Sequence, residues 1–395
     1  MLRGQQVVSR QLPVTAERAC FLETENPFGA LVIRARPDIV ASLVVSAGGN
    51  AFVPGVDEDS QVTNGLATTN LMVFDRPVNQ ATITGVVPGN EIEAITINLP
   101  QISLPEQAKT DPAGCEMPPL VSQQSWREGL PAPDYERVFN TVNNVILHHS
   151  ATSNTVTDYT NLVRSIYTYH TQVNGWSDIG YNYLIAPDGI IYAGRDPGLL
   201  MANDEVMGAH FCASNSGTLG ICLLGTYTSV QPSEAAIISL EQLLSWKMAK
   251  DSLPPFGTYA HPLNQLLGVV AGHRDGCATT CPGDGVYQLL QAVREGSNAL
   301  LESCGIYLDL VEDPQQHHQT LVFPNPASSR EFYLSDLGFV PQQLRLVTTG
   351  GRMLAVGVIS VAGNRMRLSA VAAPGVYVLE AIGDRRVFRT KLIMQ

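Results

Sequence analysis

At 395 residues the chain is too long for one ordinary core, so two or three domains are expected. Its 45% hydrophobic and 15% charged residues describe a globular protein rather than a disordered one. The formal net charge of -12 argues against nucleic acid or an anionic membrane surface as the main partner, and no apolar run is long enough to be a membrane span.

In chain order, residues 1–118 read as a β-rich accessory domain. "ALVIRA", "ASLVVSA", "TTNLMVF", "ATITGVV" and "EAITINL" are short strands separated by Gly, Pro, Asn and Asp, a spacing that suits an antiparallel β-sandwich. No constellation of ionisable residues stands out among them. The opening "MLRGQQVVSRQL" lacks the apolar core of a secretory signal, so a leader is expected to be absent or already removed. "KTDPAGCEMPP" reads as a linker.

From 121 to 305 strands alternate with helices, which makes this an α/β domain, a mixed β-sheet flanked by helices. "NVILH" (144–148) fits a buried strand. "TDYTNLVRSIYTYHTQVNG" sets Leu162, Val163, Ile166 and Tyr169 near one helical face, with Thr157 or Asp158 as cap and Gly175 as stop. "YNYLIAPDGIIYAG" is a hairpin turning on Pro187, Asp188 and Gly189. "TLGICLLG" and "LGVVAG" are further buried strands, and "PSEAAIISLEQLLSWKMAK" and "GDGVYQLLQAVREGSNALL" are amphipathic helices. Residues 306–320, with "EDPQQHHQT", read as a polar linker in which His317 and His318 are a solvated pair. Residues 321–395 are strand-rich again and suggest a second small β-sandwich, so the α/β domain lies between two β-sandwich-like domains.

The stretch "GHRDGCATTCPG" (272–283) holds one histidine and two cysteines. It reads as a structural zinc knuckle, as one end of a disulfide, or as the edge of a catalytic metal site. Cys277 and Cys281 do not have knuckle spacing, which weakens the first reading. Catalytic zinc usually keeps three protein ligands. His273 and Cys281 could share one ion, and "NVILHHSAT" offers His148 and His149 where a buried strand emerges. On spacing alone, core histidines and a disulfide centred on Cys277 compete with that grouping. The cysteine count of seven is odd, which in an exported chain suggests one thiol with a separate task, though seven thiols in a cytosolic enzyme are also unremarkable.

"VILHHSAT", "YHTQVNGWSDIGYNYLIAPDGIIYAGRD", "GAHF", "NSGTLGICLLGTY" and "GHRDGCATTCPG" stand in the order of the zinc-dependent N-acetylmuramoyl-L-alanine amidases, and more closely resemble the peptidoglycan recognition protein branch shared with phage-type amidases. "VSQQSWREGLPAP" resembles that branch's entry segment, so the resemblance spans about 121–305. It implies peptidoglycan as partner and one zinc ion on His148, His273 and Cys281. It also implies Tyr181, in "DIGYN", as the catalytic tyrosine, and Thr279, two residues before the ligand cysteine, as a second catalytic residue. Zinc polarises a carbonyl and acidifies water. A phenol is protonated at neutral pH, so Tyr181 would donate to the oxyanion formed on the lactyl–L-alanine amide, and Thr279 would add a weaker donor or orient water.

Binding-only members of the family commonly lose the ligand cysteine, so its retention favours an amidase. No Glu or Asp stands out as general base, which keeps a non-catalytic peptidoglycan-binding protein as the alternative. His149 either lines the groove or bonds a neighbouring strand, and His210, in "GAHF", is expected to touch substrate. His170 is expected to pack against Trp176, Arg195 and Arg274 to pair with Asp275 or Asp196, and His261 to be solvated. Cys277 is a disulfide partner or an alternative ligand. The paired cysteines that many animal members carry early in the first helix are missing here.

At the other end, "VFPNPASS", "GGRMLAV" and "APGVYVLEAIGDRRVFRTKLIMQ" resemble the sorting domain of type IX secretion substrates of Bacteroidota-type bacteria. That resemblance implies type IX export machinery as a partner and a secreted or cell-surface location on a Gram-negative bacterium, where disulfides are permitted.

Overall fold

The computed structural model describes residues 6–57, 62–102, 104, 115–199, 201–308, 321–327, 330–335, 340–348, 352–362, 365–382 and 387–395. Two compact units are distinguished, Met1–Lys247 with Thr258–Gly296, and Met248–Gly257 with Ser297–Gln395. Most of the linker expected at 306–320, His317 and His318 included, lies outside the described residues.

The first unit opens with β1 (Val7–Leu12), β2 (Ala19–Ala35), the short helix α1 (Pro37–Val40), β3 (Val44–Ala47), β4 (Asn50–Phe52), β5 (Ala67–Thr68), β6 (Met72–Thr84) and β7 (Ile92–Ile97). These strands form one antiparallel sheet of order β1-β7-β2-β6-β3-β4, with β5 beside β2. Consecutive residues Ala30, Leu31, Val32 and Ile33 are all buried, so both faces of β2 are covered. Leu31 and Ile33 join one apolar cluster, with Ile39 and Val40 of α1. Ala30 and Val32 join another, with Val73 of β6, Ile95 and Ile97 of β7, and Leu162, Val163 and Ile166 of the helix Tyr159–Thr168. The second layer expected of a sandwich is thus, on this face, a helix of the following α/β domain. Full burial of such a side chain contributes roughly 1.5–3 kcal/mol, so this seam is a core and not a tether.

That α/β domain begins with β8 (Leu120–Val121), α2 (Gln123–Trp126), β9 (Asn144–His149) and α3 (Tyr159–Thr168), the helix already met. Asp158 caps α3, its carboxylate accepting from the Asn161 N–H at 2.9 Å, and the expected apolar face is buried. The chain continues through β10 (Tyr183–Ile185), β11 (Ile191–Ala193), β12 (Thr218–Leu223), α4 (Glu234–Asp251), β13 (Thr258–His261), β14 (Asn264–Gly268) and β15 (Val270–Gly272). The β10–β11 hairpin turns where expected: Gly189 has φ +87°, and the Asp188 carboxylate accepts from the Ile190 N–H at 3.0 Å. The last helix expected from the sequence is two, α5 (Asp284–Tyr287) and α6 (Leu290–Ser303).

The sheet has the order β15-β9-β12-β10-β11-β8. β15, β9, β12 and β10 run parallel, and only the β10–β11 pair is antiparallel. Parallel strands need cover on both faces, and β9 and β12 are buried at every position. The carboxyl ends of β9 and β15 therefore emerge side by side, the position where open α/β sheets place their sites.

The second unit contains β16 (Leu321–Phe323), β17 (Glu331–Ser335), β18 (Gln343–Thr348), β19 (Met353–Ala362), β20 (Arg365–Ala370), β21 (Gly375–Ile382) and β22 (Val387–Met394), in the order β16-β17-β20-β19-β18-β21-β22. The long β19 pairs with β18 through its first residues and with β20 through its later ones. Phe332, Leu334 and Leu368 from one side of that corner share a core with Leu346, Leu379 and Leu392 from the other. No helix among the described residues is long and apolar enough to cross a membrane.

Candidate metal centre

The pairing of β9 with β15 brings the first two donors together. Gly272 lies opposite Leu147, so the residues that follow, His273 and His148, leave the sheet as neighbours, with ring centroids 4.5 Å apart. The chain then folds back through a short loop. Cys277 N–H donates to the His273 carbonyl at 3.1 Å and Arg274 N–H to the Cys281 carbonyl at 3.0 Å, which returns Cys281 to the strand ends. Donor atoms of His148, His273 and Cys281 lie within 4.8 Å of one another, and all three residues are buried. Cys281 Sγ is 3.7 Å from His148 Nδ1 and accepts from the His149 N–H at 3.4 Å.

Hydrogen bonds behind His148 select its tautomer. The Thr218 hydroxyl donates to the Asn215 carbonyl at 2.8 Å, so toward the ring of His210 it acts as acceptor. His210 Nε2, 3.4 Å away, then carries the proton, and His210 Nδ1 accepts from His148 Nε2 at 3.0 Å. That leaves the Nδ1 lone pair of His148 directed at the shared space, as a ligand nitrogen needs. His273 Nδ1 is buried without a hydrogen-bond partner, an orphaned nitrogen that a metal ion would satisfy. Burial holds His148 well below the ordinary histidine range, helped by the neighbouring His273 and His210. Burial and His149 bring His273 down to about 4. Two neutral imidazoles and a cysteine sulfur form a donor set suited to zinc with one position left open, so the residues present fit the ion.

Tyr181 stands beside this set, its ring centroid 5.2 Å from that of His148. Thr279 accepts the Cys281 N–H at 2.9 Å, which anchors the backbone of that cysteine. His149 Nδ1 accepts from the Tyr227 N–H at 3.2 Å, and burial, then Arg274, lowers its pKa to about 4. Tyr227 lies past the end of β12, so the ring bonds loop backbone rather than a neighbouring strand, while the side chain also borders a cavity. His210 borders the other cavity but is only 3% exposed, and both its ring nitrogens are engaged within the protein.

Several secondary expectations change. His261 is buried beneath the ring of Phe211, 5.2 Å between centroids, because the end of β13 turns inward where a Pro-flanked loop suggested solvent. Arg274 pairs with Asp284 at 2.7 Å, and Asp196 pairs with Arg137 at 3.0 Å. Arg195 lies over the ring of Tyr135. His170 does pack on Trp176, centroids 4.5 Å apart. Cys277 is disulfide-bonded to Cys212, a partner that spacing could not single out. The Thr218–His210 link also escaped the sequence reading; Thr218 is an ordinary β-branched residue at a strand start, with no local signal of its role.

Two cavities flank the donor set, one of about 920 Å³ and one of about 540 Å³. His273 and Thr279 border both, so the donor set lies where the two spaces meet.

A parallel-cored α/β sheet with two histidines and a cysteine at adjoining strand ends defines a domain with a candidate metal site at the carboxyl ends of its strands. Its relatives narrow the class: the chain belongs to the family of N-acetylmuramoyl-L-alanine amidases and peptidoglycan recognition proteins. The N-acetylmuramoyl-L-alanine amidase family profile matches residues 138–284. Peptidoglycan recognition protein 1 of Bos taurus is 31% identical over 175 residues, 44% of this chain and 82% of that protein. The N-acetylmuramoyl-L-alanine amidase of Homo sapiens is 33% identical over 138 residues, 34% of this chain, and the match spans 21% of that relative's length. The solved structure of wild-type Drosophila PGRP-LB is 27% identical, with 44% of this chain and 93% of that chain covered at a TM-score of 0.36.

Proposed function

We propose that this protein is an exported zinc amidase that hydrolyses the bond between N-acetylmuramic acid and the L-alanine of the peptidoglycan stem. The observation that carries the proposal is the buried donor set of His148, His273 and Cys281, with a tautomer-fixing chain behind one member and an orphaned nitrogen on another. Zinc held there supplies Lewis acidity toward the scissile carbonyl and the attacking water. The Tyr181 hydroxyl then donates a hydrogen bond to the oxygen on which negative charge develops, and Thr279 holds Cys281 in place. The α/β domain of residues 121–305 performs the chemistry, residues 1–118 form a β-rich domain beside it, and residues 321–395 form the sorting domain read by type IX export machinery. The protein then works at the surface of, or outside, a Gram-negative cell, in keeping with its disulfide-bonded Cys212 and Cys277.

The test is zinc stoichiometry together with product analysis on purified peptidoglycan, comparing the parent with Tyr181→Phe and Cys281→Ser. The expected result is one zinc per chain and newly exposed L-alanine amino termini, strongly reduced in Tyr181→Phe and abolished with zinc binding in Cys281→Ser. Peptidoglycan bound without release of those termini would make the protein a recognition protein instead.

A further inference from the structure

We propose that the N-terminal sheet is one wall of the substrate groove, and that Arg34 on β2 binds a carboxylate of the stem peptide. The inference rests on peptidoglycan being the substrate. Both cavities beside the donor set are bordered by this sheet and its loops. Arg34, Leu66 and Thr68 line the larger, and Val53, Asp57 and Asn70 the smaller. The wall is held rigidly. Its apolar face shares a core with α3, the Thr157 N–H donates to Asp75 at 3.0 Å, and Arg164 donates to the Pro100 carbonyl at 3.0 Å.

The two arms differ in charge. Arg34 and Arg195 border the larger cavity, and no Asp or Glu is among its described lining residues, although the chain carries a net charge of -12. The smaller is bordered by hydroxyls such as Ser150, Thr152, Thr226 and Thr280, with Asp57 as its carboxylate. The scissile amide joins a neutral polyhydroxylated sugar to a peptide bearing carboxylates. With that amide at the donor set, charge sorts the halves: peptide toward Arg34, sugar toward the hydroxyls. The Arg34 guanidinium is aimed by a 2.8 Å bond to the Val173 carbonyl and is ion-paired with Glu93 on the facing strand at 3.6 Å, a separation beyond a direct hydrogen bond. A guanidinium has five N–H donors in a planar fork, so donors remain for a ligand carboxylate.

The experiment uses the zinc-loaded full chain carrying Tyr181→Phe, and calorimetric Kd values for N-acetylmuramoyl-tetrapeptide with free carboxylates and for its fully amidated twin. Added Arg34→Met should weaken binding of the free-carboxylate ligand about ten- to a hundred-fold and change binding of the amidated twin little. Leu66→Asp, which leaves Arg34 and Val173 in place, should likewise penalise the anionic ligand selectively. Equal losses for the two ligands in both variants, or no loss in either, overturn the inference while leaving the amidase intact. If the parent binds neither ligand, the peptidoglycan reading fails and this inference with it.

Discussion

His148 Nε2 meets His210 Nδ1 at 3.0 Å, and the space for that meeting is made by Gly220 on the neighbouring strand. A Cβ at position 220 would stand 2.6 Å from the His210 ring, closer than side-chain carbons approach. Removing the chain behind the ligand should therefore cost metal affinity before it costs the fold. His210→Phe is expected to weaken zinc binding about ten- to a hundred-fold, measured by competition with a chromophoric chelator, with far-UV circular dichroism unchanged. Gly220→Ala should move in the same direction by displacing the ring. Unaltered zinc affinity in His210→Phe would falsify the orienting role.

Cys212 and Cys277 tie the segment after His210 to the loop that separates His273 from Cys281, across 65 positions of sequence. In the chain-entropy account a link of that span stabilises by about 4 kcal/mol at most. Replacing both by serine should lower the denaturant midpoint and also loosen the loop that carries His273 and Cys281. The readouts are urea melts of the zinc-free and zinc-loaded forms. A double variant as stable as the parent in both forms would show that the link carries no load.

The candidate donor set was legible because its residue types and places carry chemistry: histidines where an apolar strand ends, and a cysteine eight residues past another histidine. The face of α3 was legible from its period, with Leu162, Val163 and Ile166, and Tyr169 just past its end, all buried. What sequence lacked was register. Nothing local says that Gly272 pairs with Leu147 and so sets His273 beside His148. Nor does the period-two pattern of β2 reveal what covers each face; Ala30 and Val32 look like one side of a sandwich, yet they pack on a helix well over a hundred residues away. His261 was misread for the same reason: flanking proline reports a turn, but burial depends on which element lies above it.

Lys247 and Asp204 form an ion pair at 2.6 Å with side chains 3% and 1% exposed. Two charges so deeply buried stabilise little relative to apolar replacements, but removing one takes away the other's buried counter-charge. Lys247→Met is expected to destabilise by about 3–5 kcal/mol, and the double variant Lys247→Met with Asp204→Leu to recover most of that loss. Equilibrium urea unfolding checks both. A single variant within about 0.5 kcal/mol of the parent would mean that water or another group compensates the remaining carboxylate.

Acid sensitivity should follow His170, whose Nδ1 accepts the Gly180 N–H at 3.1 Å. Burial, with Arg195 as a second cause, brings its pKa down to about 3, against about 6.5 in an unfolded chain. Between those values the unfolded state holds more protons. The contribution of His170 is therefore complete above about pH 6.5 and is lost toward pH 3 by about 1.4 kcal/mol per unit. Asp178 works in the opposite sense. Burial raises it to about 6 despite the opposing N–H groups of Asp196 and Ile179 and the charge of Arg195, so below about pH 6 the folded state takes up its proton first and offsets part of the loss. In unfolding measurements from pH 7.5 to 4.5, His170→Asn should show a shallower fall than the parent, and Asp178→Asn a steeper one below pH 6. Parallel curves for parent and His170→Asn would place the acid sensitivity elsewhere.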